Sequence, residues 1–139
     1  IVGPGLVPGR GTLSVPESHA QRGGGAPGPA LQHDERHVIL IAGGADKKLN
    51  YREMAKYVNK YCKAVVLLPG TATHKMKLEI RNWKLEIVEA KSMKEAVRKA
   101  EKLVVDGDNI ILSPAAASFG LFCNEFDRGK QFVDAVKKL

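Results

Sequence analysis

A chain of 139 residues, with 22 Lys and Arg against 15 Asp and Glu for a formal charge of +7, holds one domain but leaves little room for a complete enzyme with an enclosed two-substrate, nucleotide-using site. No stretch approaches the roughly 18 consecutive apolar residues of a membrane span, and the chain, which begins at Ile1, shows neither a basic leader followed by an apolar run nor a small-residue cleavage site. Its two cysteines, Cys62 and Cys123, make no disulfide framework, and a reduced setting suits them.

Residues 1–36 read as a tail or linker. Runs such as GPGLVPGRG and RGGGAPGPA interrupt any helix or strand period every few residues, and such a segment cannot bury enough surface to offset its ordering entropy, so it is expected to be disordered. Its acidic and basic residues cancel, which leaves the whole positive excess on 37–139. Much of that excess lies on Lys75, Lys77, Arg81, Lys84, Lys91, Lys94, Arg98, Lys99 and Lys102, on expected helix surfaces. These are read first as solvated faces and second as a source of long-range attraction for anionic ligands. No aromatic RNA-binding motif, zinc finger or arginine-rich arm accompanies them, so no nucleic-acid partner is expected.

From Val38 the texture changes. Four apolar runs, VILIA (38–42), AVVLLP (64–69), LEIVEA (85–90) and NIILSP (109–114), are separated by segments of helical period. Runs that are apolar at nearly every position suit strands buried on both faces, and their alternation with helices implies parallel pairing. Asn50, with Glu53 three residues on, caps a helix whose Tyr51, Met54, Ala55 and Val58 share a face. Thr73 caps a shorter helix through Ile80. Ser92 and Glu95 form a capping box before an inward stripe of Met93, Ala96, Val97, Ala100, Leu103 and Val104, which ends at Asp106 and Gly107. A last helix spans about Asn124 to Lys138 with Phe126, Phe132, Ala135, Val136 and Leu139 inward. The expected architecture is α/β: a small doubly wound, Rossmann-like, mainly parallel sheet with flanking helices.

In such sheets ligands collect at the carboxyl ends of the strands. The loop after the first strand, GGADKKLN, offers Gly43 and Gly44, which either let a ligand approach the backbone or make a tight strand-to-helix turn, with Lys47 just before the helix. The last loop, SPAAASFGLFCNEFDRG, has small residues at Ala115, Ala116, Ala117 and Gly120 that leave room for a substrate or let the loop pack closely. Ser113 and Ser118 bring hydroxyls, and exposed amides there can hold a carboxylate. His33 and His37 share H-x-x-x-H spacing but have no acidic or cysteine partner pattern, so no metal site is expected. Cys123 lacks a His partner and reads as an inert thiol. No G-x-x-x-x-G-K-[ST] phosphate loop occurs.

The two loops together, LIAGGADKK and Ser-Pro-x-x-Ala-Ser-Phe followed by Arg-Gly, resemble the C-terminal domain of the D-glutamate-adding Mur ligases, from about Val38 to Leu139. Taken at that resemblance, 37–139 is a Mur ligase C-terminal, amino-acid-binding domain. The resemblance implies a three-domain cytoplasmic enzyme that joins D-glutamate to UDP-N-acetylmuramoyl-L-alanine in peptidoglycan synthesis through an acyl phosphate. It uses ATP and Mg²⁺ held mainly by a central domain absent here. It implies that Lys47 pairs with a carboxylate of D-glutamate, that Ser118 donates its hydroxyl, and that the backbone near Phe119 and from Asn124 through Glu125 to Phe126 completes the pocket. The Asp-Ser/Thr-Lys/Thr-Ala-Thr segment that precedes the first strand in the family is missing, and Glu125-Phe126 inverts the family's Phe-Glu order. No catalytic residue is assigned to this chain, which is expected to be inactive by itself.

Two alternatives stay open. A standalone Rossmann-like nucleotide- or anion-binding module would take a phosphate at Gly43, Gly44 and Lys47, although Pro69-Gly70-Thr71 stands where a dinucleotide binder carries an acidic residue. A basic adaptor would bind nucleic acid through its helix lysines with steep salt dependence.

Overall fold

The computed structural model describes residues 6–8, 36–81, 84–118 and 120–139. Among these, a five-stranded sheet runs in the order β1-β5-β2-β3-β4. Its strands are β1 (Leu6–Pro8), β2 (Val38–Gly43), β3 (Cys62–Leu68), β4 (Glu86–Glu89) and β5 (Asn109–Leu112). The helices are α1 (Tyr51–Tyr61), α2 (Thr71–Ile80), α3 (Met93–Leu103) and α4 (Glu125–Lys137). β2, β3, β4 and β5 are mutually parallel, and β1 alone is antiparallel, against β5. The expected doubly wound α/β arrangement is the fold.

Alternate residues of the central strands serve opposite layers, which is why the runs are apolar throughout. Ile39, Ile41, Val66 and Leu68 pack with Met93, Val97, Phe122 and Phe132 under α3 and α4. Leu40, Ala42, Val65 and Leu67 pack with Tyr51, Val58, Met76 and Ile80 under α1 and α2. The helix starts follow local chemistry. Asn50 accepts the Arg52 amide at 2.9 Å, Ser92 accepts the Glu95 amide at 3.1 Å, and Asn124 accepts the Asp127 amide at 2.8 Å, each satisfying a donor that has no carbonyl a turn earlier.

Several expectations are corrected. α2 begins at Thr71 with Gly70 as its cap, so Thr73 lies inside the first turn, where its hydroxyl turns back to donate to the Leu68 carbonyl. β3 starts at Cys62, directly at the end of α1, and Pro69 falls outside it because Leu68 is its last paired residue. Phe126 and Leu139 are exposed, at 78% and 58%, rather than inward. Each lies at an end of α4, whereas the buried Phe132 lies near its middle. Leu6–Pro8, within the stretch expected to be disordered, forms an edge strand. β5 has a free edge there, and an edge tolerates Pro8, which has no N–H to contribute. The rest of 1–35 lies outside the described residues.

At the end of the sheet where the parallel strands begin, Asp108 is 1% exposed. It pairs with Lys63, accepts the Val105 amide at 2.9 Å and lies 3.3 Å from His37 Nδ1, while the Asn109 amide donates to the His37 carbonyl at 2.8 Å. One carboxylate thereby fastens the starts of β2, β3 and β5. Cys62, at this same end, is buried, and burial pushes its thiol up to about 11. His33, the partner of His37 in the spacing noted above, lies outside the described residues.

Candidate functional site

The opposite end of the sheet gathers three loops. The Gly43 amide donates to the Pro114 carbonyl at 2.9 Å, and the Ala72 amide donates to the Gly44 carbonyl at 2.8 Å. Ala45 and Ala117 exchange both backbone hydrogen bonds, each 2.9 Å, as an isolated antiparallel bridge. The loop carrying Lys47 and the loop carrying Ser118 are therefore joined two residues before the first and one residue before the second.

Glycine is required at this junction. Gly44 has φ +140°, and a Cβ there would stand 2.4 Å from the Ala117 carbonyl oxygen; Gly70 has φ +148°, and a Cβ would stand 2.1 Å from the Gly44 oxygen. L side chains rarely adopt such backbone, and here the space is also taken. At Gly43 the same space holds the Thr73 hydroxyl, 2.6 Å away. The glycines thus allow loop-on-loop contact, with the volume beside them filled by the protein itself.

Asp46 organises the first loop. Its carboxylate accepts the Lys48 amide at 2.9 Å and the Tyr51 hydroxyl at 3.0 Å and pairs with Lys75, while its own amide donates to Thr71 Oγ1 at 2.9 Å. The Lys75 hydrogen bond, reinforced by the Lys48 amide and the Tyr51 hydroxyl, holds the Asp46 carboxyl below the usual carboxylate range, and Lys75 is raised in return. Lys48 takes φ +62°, a left-handed turn stabilised by that same Asp46 contact. Lys47 itself is exposed, and among the described residues its ammonium makes no ion pair.

In the second loop Ala115 takes φ +57° and Ala116 is buried. Ser118 is only 8% exposed. Among the described residues its hydroxyl has no hydrogen-bond partner, although buried polar side chains are ordinarily satisfied. Phe119 lies outside the described residues. Glu125 and Phe126 are the exposed first two residues of α4, whose amides precede the first intrahelical hydrogen bond. Arg128, in the same turn, donates from Nη1 to the Ala116 carbonyl at 2.9 Å. An apolar groove of about 400 Å³ runs along α1, β2 and β5, lined by Leu40, Tyr57, Tyr61, Ile111 and Ala115 among others.

Of the residues singled out from sequence, Gly43, Gly44, Lys47, Ser118, Glu125 and Phe126 all lie at this end of the sheet. Asp46, Thr71, Thr73, Lys75 and Arg128 had no site role assigned from sequence. The i, i+4 spacing of Thr71 and Lys75 at a helix start that follows a strand was the available pointer to two of them.

No family model matches the chain. Individual relatives do. The chain is 43% identical over 110 residues to the UDP-N-acetylmuramoylalanine–D-glutamate ligase of Christiangramia forsetii, covering 79% of this chain and 24% of that protein. It is 39% identical over 110 residues to the same-named ligase of Desulfosudis oleivorans, and 40% identical over 116 residues to that of a Roseiflexus species, with 24% of each covered. Over nearly four-fifths of its length the chain is thus similar to ligases of this one name. It corresponds to their C-terminal part and spans about a quarter of the length of these relatives. The joined loops are the features that had carried the resemblance.

Proposed function

We propose that this chain is the amino-acid-binding C-terminal domain of an ATP-dependent ligase that adds D-glutamate to UDP-N-acetylmuramoyl-L-alanine in the cytoplasm. The observation that carries the reading is the Ala45–Ala117 bridge, which brings the Lys47 and Ser118 loops together at the carboxyl end of the sheet. Lys47 supplies an ammonium for one carboxylate of D-glutamate. Ser118 supplies a hydroxyl that has no partner among the described residues, and the backbone near Phe119 and at the start of α4, from Asn124 to Phe126, supplies amide donors.

The described residues do not fit a nucleotide and cation site of their own. No three His, Cys, Asp or Glu side chains among them cluster, the chain has no Gly-x-x-x-x-Gly-Lys-Ser/Thr loop, and the space beside Gly43 and Gly44 is filled by Thr73 and Ala117. This packing favours the ligase reading over a standalone nucleotide-binding module. ATP, Mg²⁺ and the acyl-phosphate chemistry belong in this reading to upstream domains, and the chain alone is inactive. No described helix is long and apolar enough to cross a membrane.

The test is a chimera in which residues 37–139 replace the matching quarter of a relative's ligase. The reading expects phosphate release that depends on both ATP and D-glutamate and that Lys47→Ala abolishes, with no turnover by this chain alone. A folded chimera that binds nucleotide but ignores D-glutamate would refute it.

A further inference from the structure

Arg128 stands where a cation is locally disfavoured. The first turn of a helix carries the positive end of the macrodipole, and Glu125 and Asp127 in the same turn answer it with negative charge. Arg128 adds positive charge there, and burial lowers its pKa, opposed by the nearby Glu125 carboxylate. A residue that breaks the local rule marks a position held for another purpose. Among the described residues its side-chain hydrogen bond runs out of the helix, across twelve residues of chain, to the Ala116 carbonyl at 2.9 Å. Ala116 sits between Ala115, in left-handed backbone at φ +57°, and Ala117, which is bridged to Ala45. Left-handed backbone at a residue with a Cβ persists only where its surroundings hold it.

We propose that Arg128 is the positioning residue of this site: its guanidinium clamps the Ala116 carbonyl, fixes the Ala115–Ser118 turn and thereby keeps Ser118 registered against the Lys47 loop through the Ala45–Ala117 bridge. For substrate binding the proposal rests on the D-glutamate reading above; the clamp itself does not. It also accounts for an arginine rather than a lysine, since the planar fork reaches a carbonyl at fixed geometry where an ammonium is a point charge on a flexible stem.

The experiment follows amide hydrogen exchange in the whole chain for wild type, Arg128→Ala and Arg128→Lys, with D-glutamate titrated into each. Arg128→Ala is expected to speed exchange of the Ala45 and Ala117 amides at least about tenfold, the scale of one charge-assisted hydrogen bond, while Ile41, Val66 and Ile110 hold their protection. Arg128→Lys restores part of the loss and keeps the test available if the alanine variant does not fold. The D-glutamate midpoint, read at the Lys47 amide, rises in the same order. Unchanged exchange at Ala45 and Ala117, or an equal rise throughout the sheet, would overturn the proposal. Loosened loops in Arg128→Ala together with a wild type that ignores D-glutamate would uphold the clamp and remove the glutamate reading.

Discussion

Two aspartate–lysine pairs sit at opposite ends of the same sheet. Asp108, 1% exposed, is answered by Lys63, the Val105 amide and His37, and the cluster is consumed in fastening three strand starts. Asp46 is answered as fully, by Lys75, the Lys48 amide and the Tyr51 hydroxyl, yet the next residue, Lys47, is left exposed with no ion pair among the described residues. At the strand starts the charges close the structure. At the strand ends they shape a loop and leave a cation facing solvent, in the place where α/β sheets bind ligands.

This contrast can be broken at either end. The largest effect is expected from Asp108→Ala, which strands the half-buried Lys63 and unfastens the strand starts; urea denaturation should show a loss of about 3 kcal/mol. A loss within the ±0.5 kcal/mol typical of surface changes would place Asp108 among solvated charges. Gly44→Ala comes next. The new Cβ meets the Ala117 oxygen and the backbone is unsuited to it, so we expect a loss of about 1–3 kcal/mol, with the Ala45 and Ala117 amides losing protection before the sheet does.

The smallest effect is one of pH. Because the Asp46 carboxyl lies below its ordinary value of 3.8, its contribution is fully present above the unfolded-state value and is lost as pH falls through the lowered, folded-state value. The Lys48 amide resonance, followed by NMR as acid is added, should therefore move with a midpoint below pH 3.8. In Asp46→Asn that acid transition should vanish.

The layers of this fold were legible because the strand runs are apolar at successive positions and the helix starts carry Asn50, Ser92 and Asn124. What the sequence did not disclose was tertiary. Thr73 looked like a cap by residue type, but the sharp turn at Gly70 starts α2 two residues earlier and leaves the Thr73 hydroxyl to bond Leu68. Phe126 matched the apolar period of α4, but it stands 78% exposed in the first turn of the helix. At the candidate site the two loops were readable as motifs, whereas their junction was not. The Ala45–Ala117 bridge and the Arg128–Ala116 contact join residues far apart in the chain, a pairing that neither motif discloses. Gly43 and Gly44 stood out as special, and the structure supplies a reason in loop packing that spacing could not.

The most direct test of the account is a titration of the isotopically labelled chain with D-glutamate and, separately, with L-glutamate, followed at the Lys47 and Ser118 amides. The account predicts saturable shifts at both amides with the D enantiomer, little response to the L enantiomer, and loss of the response in Lys47→Ala at unchanged denaturation midpoint. Equal responses to the two enantiomers, or none at either amide, would contradict the claim that this end of the sheet is a D-glutamate site.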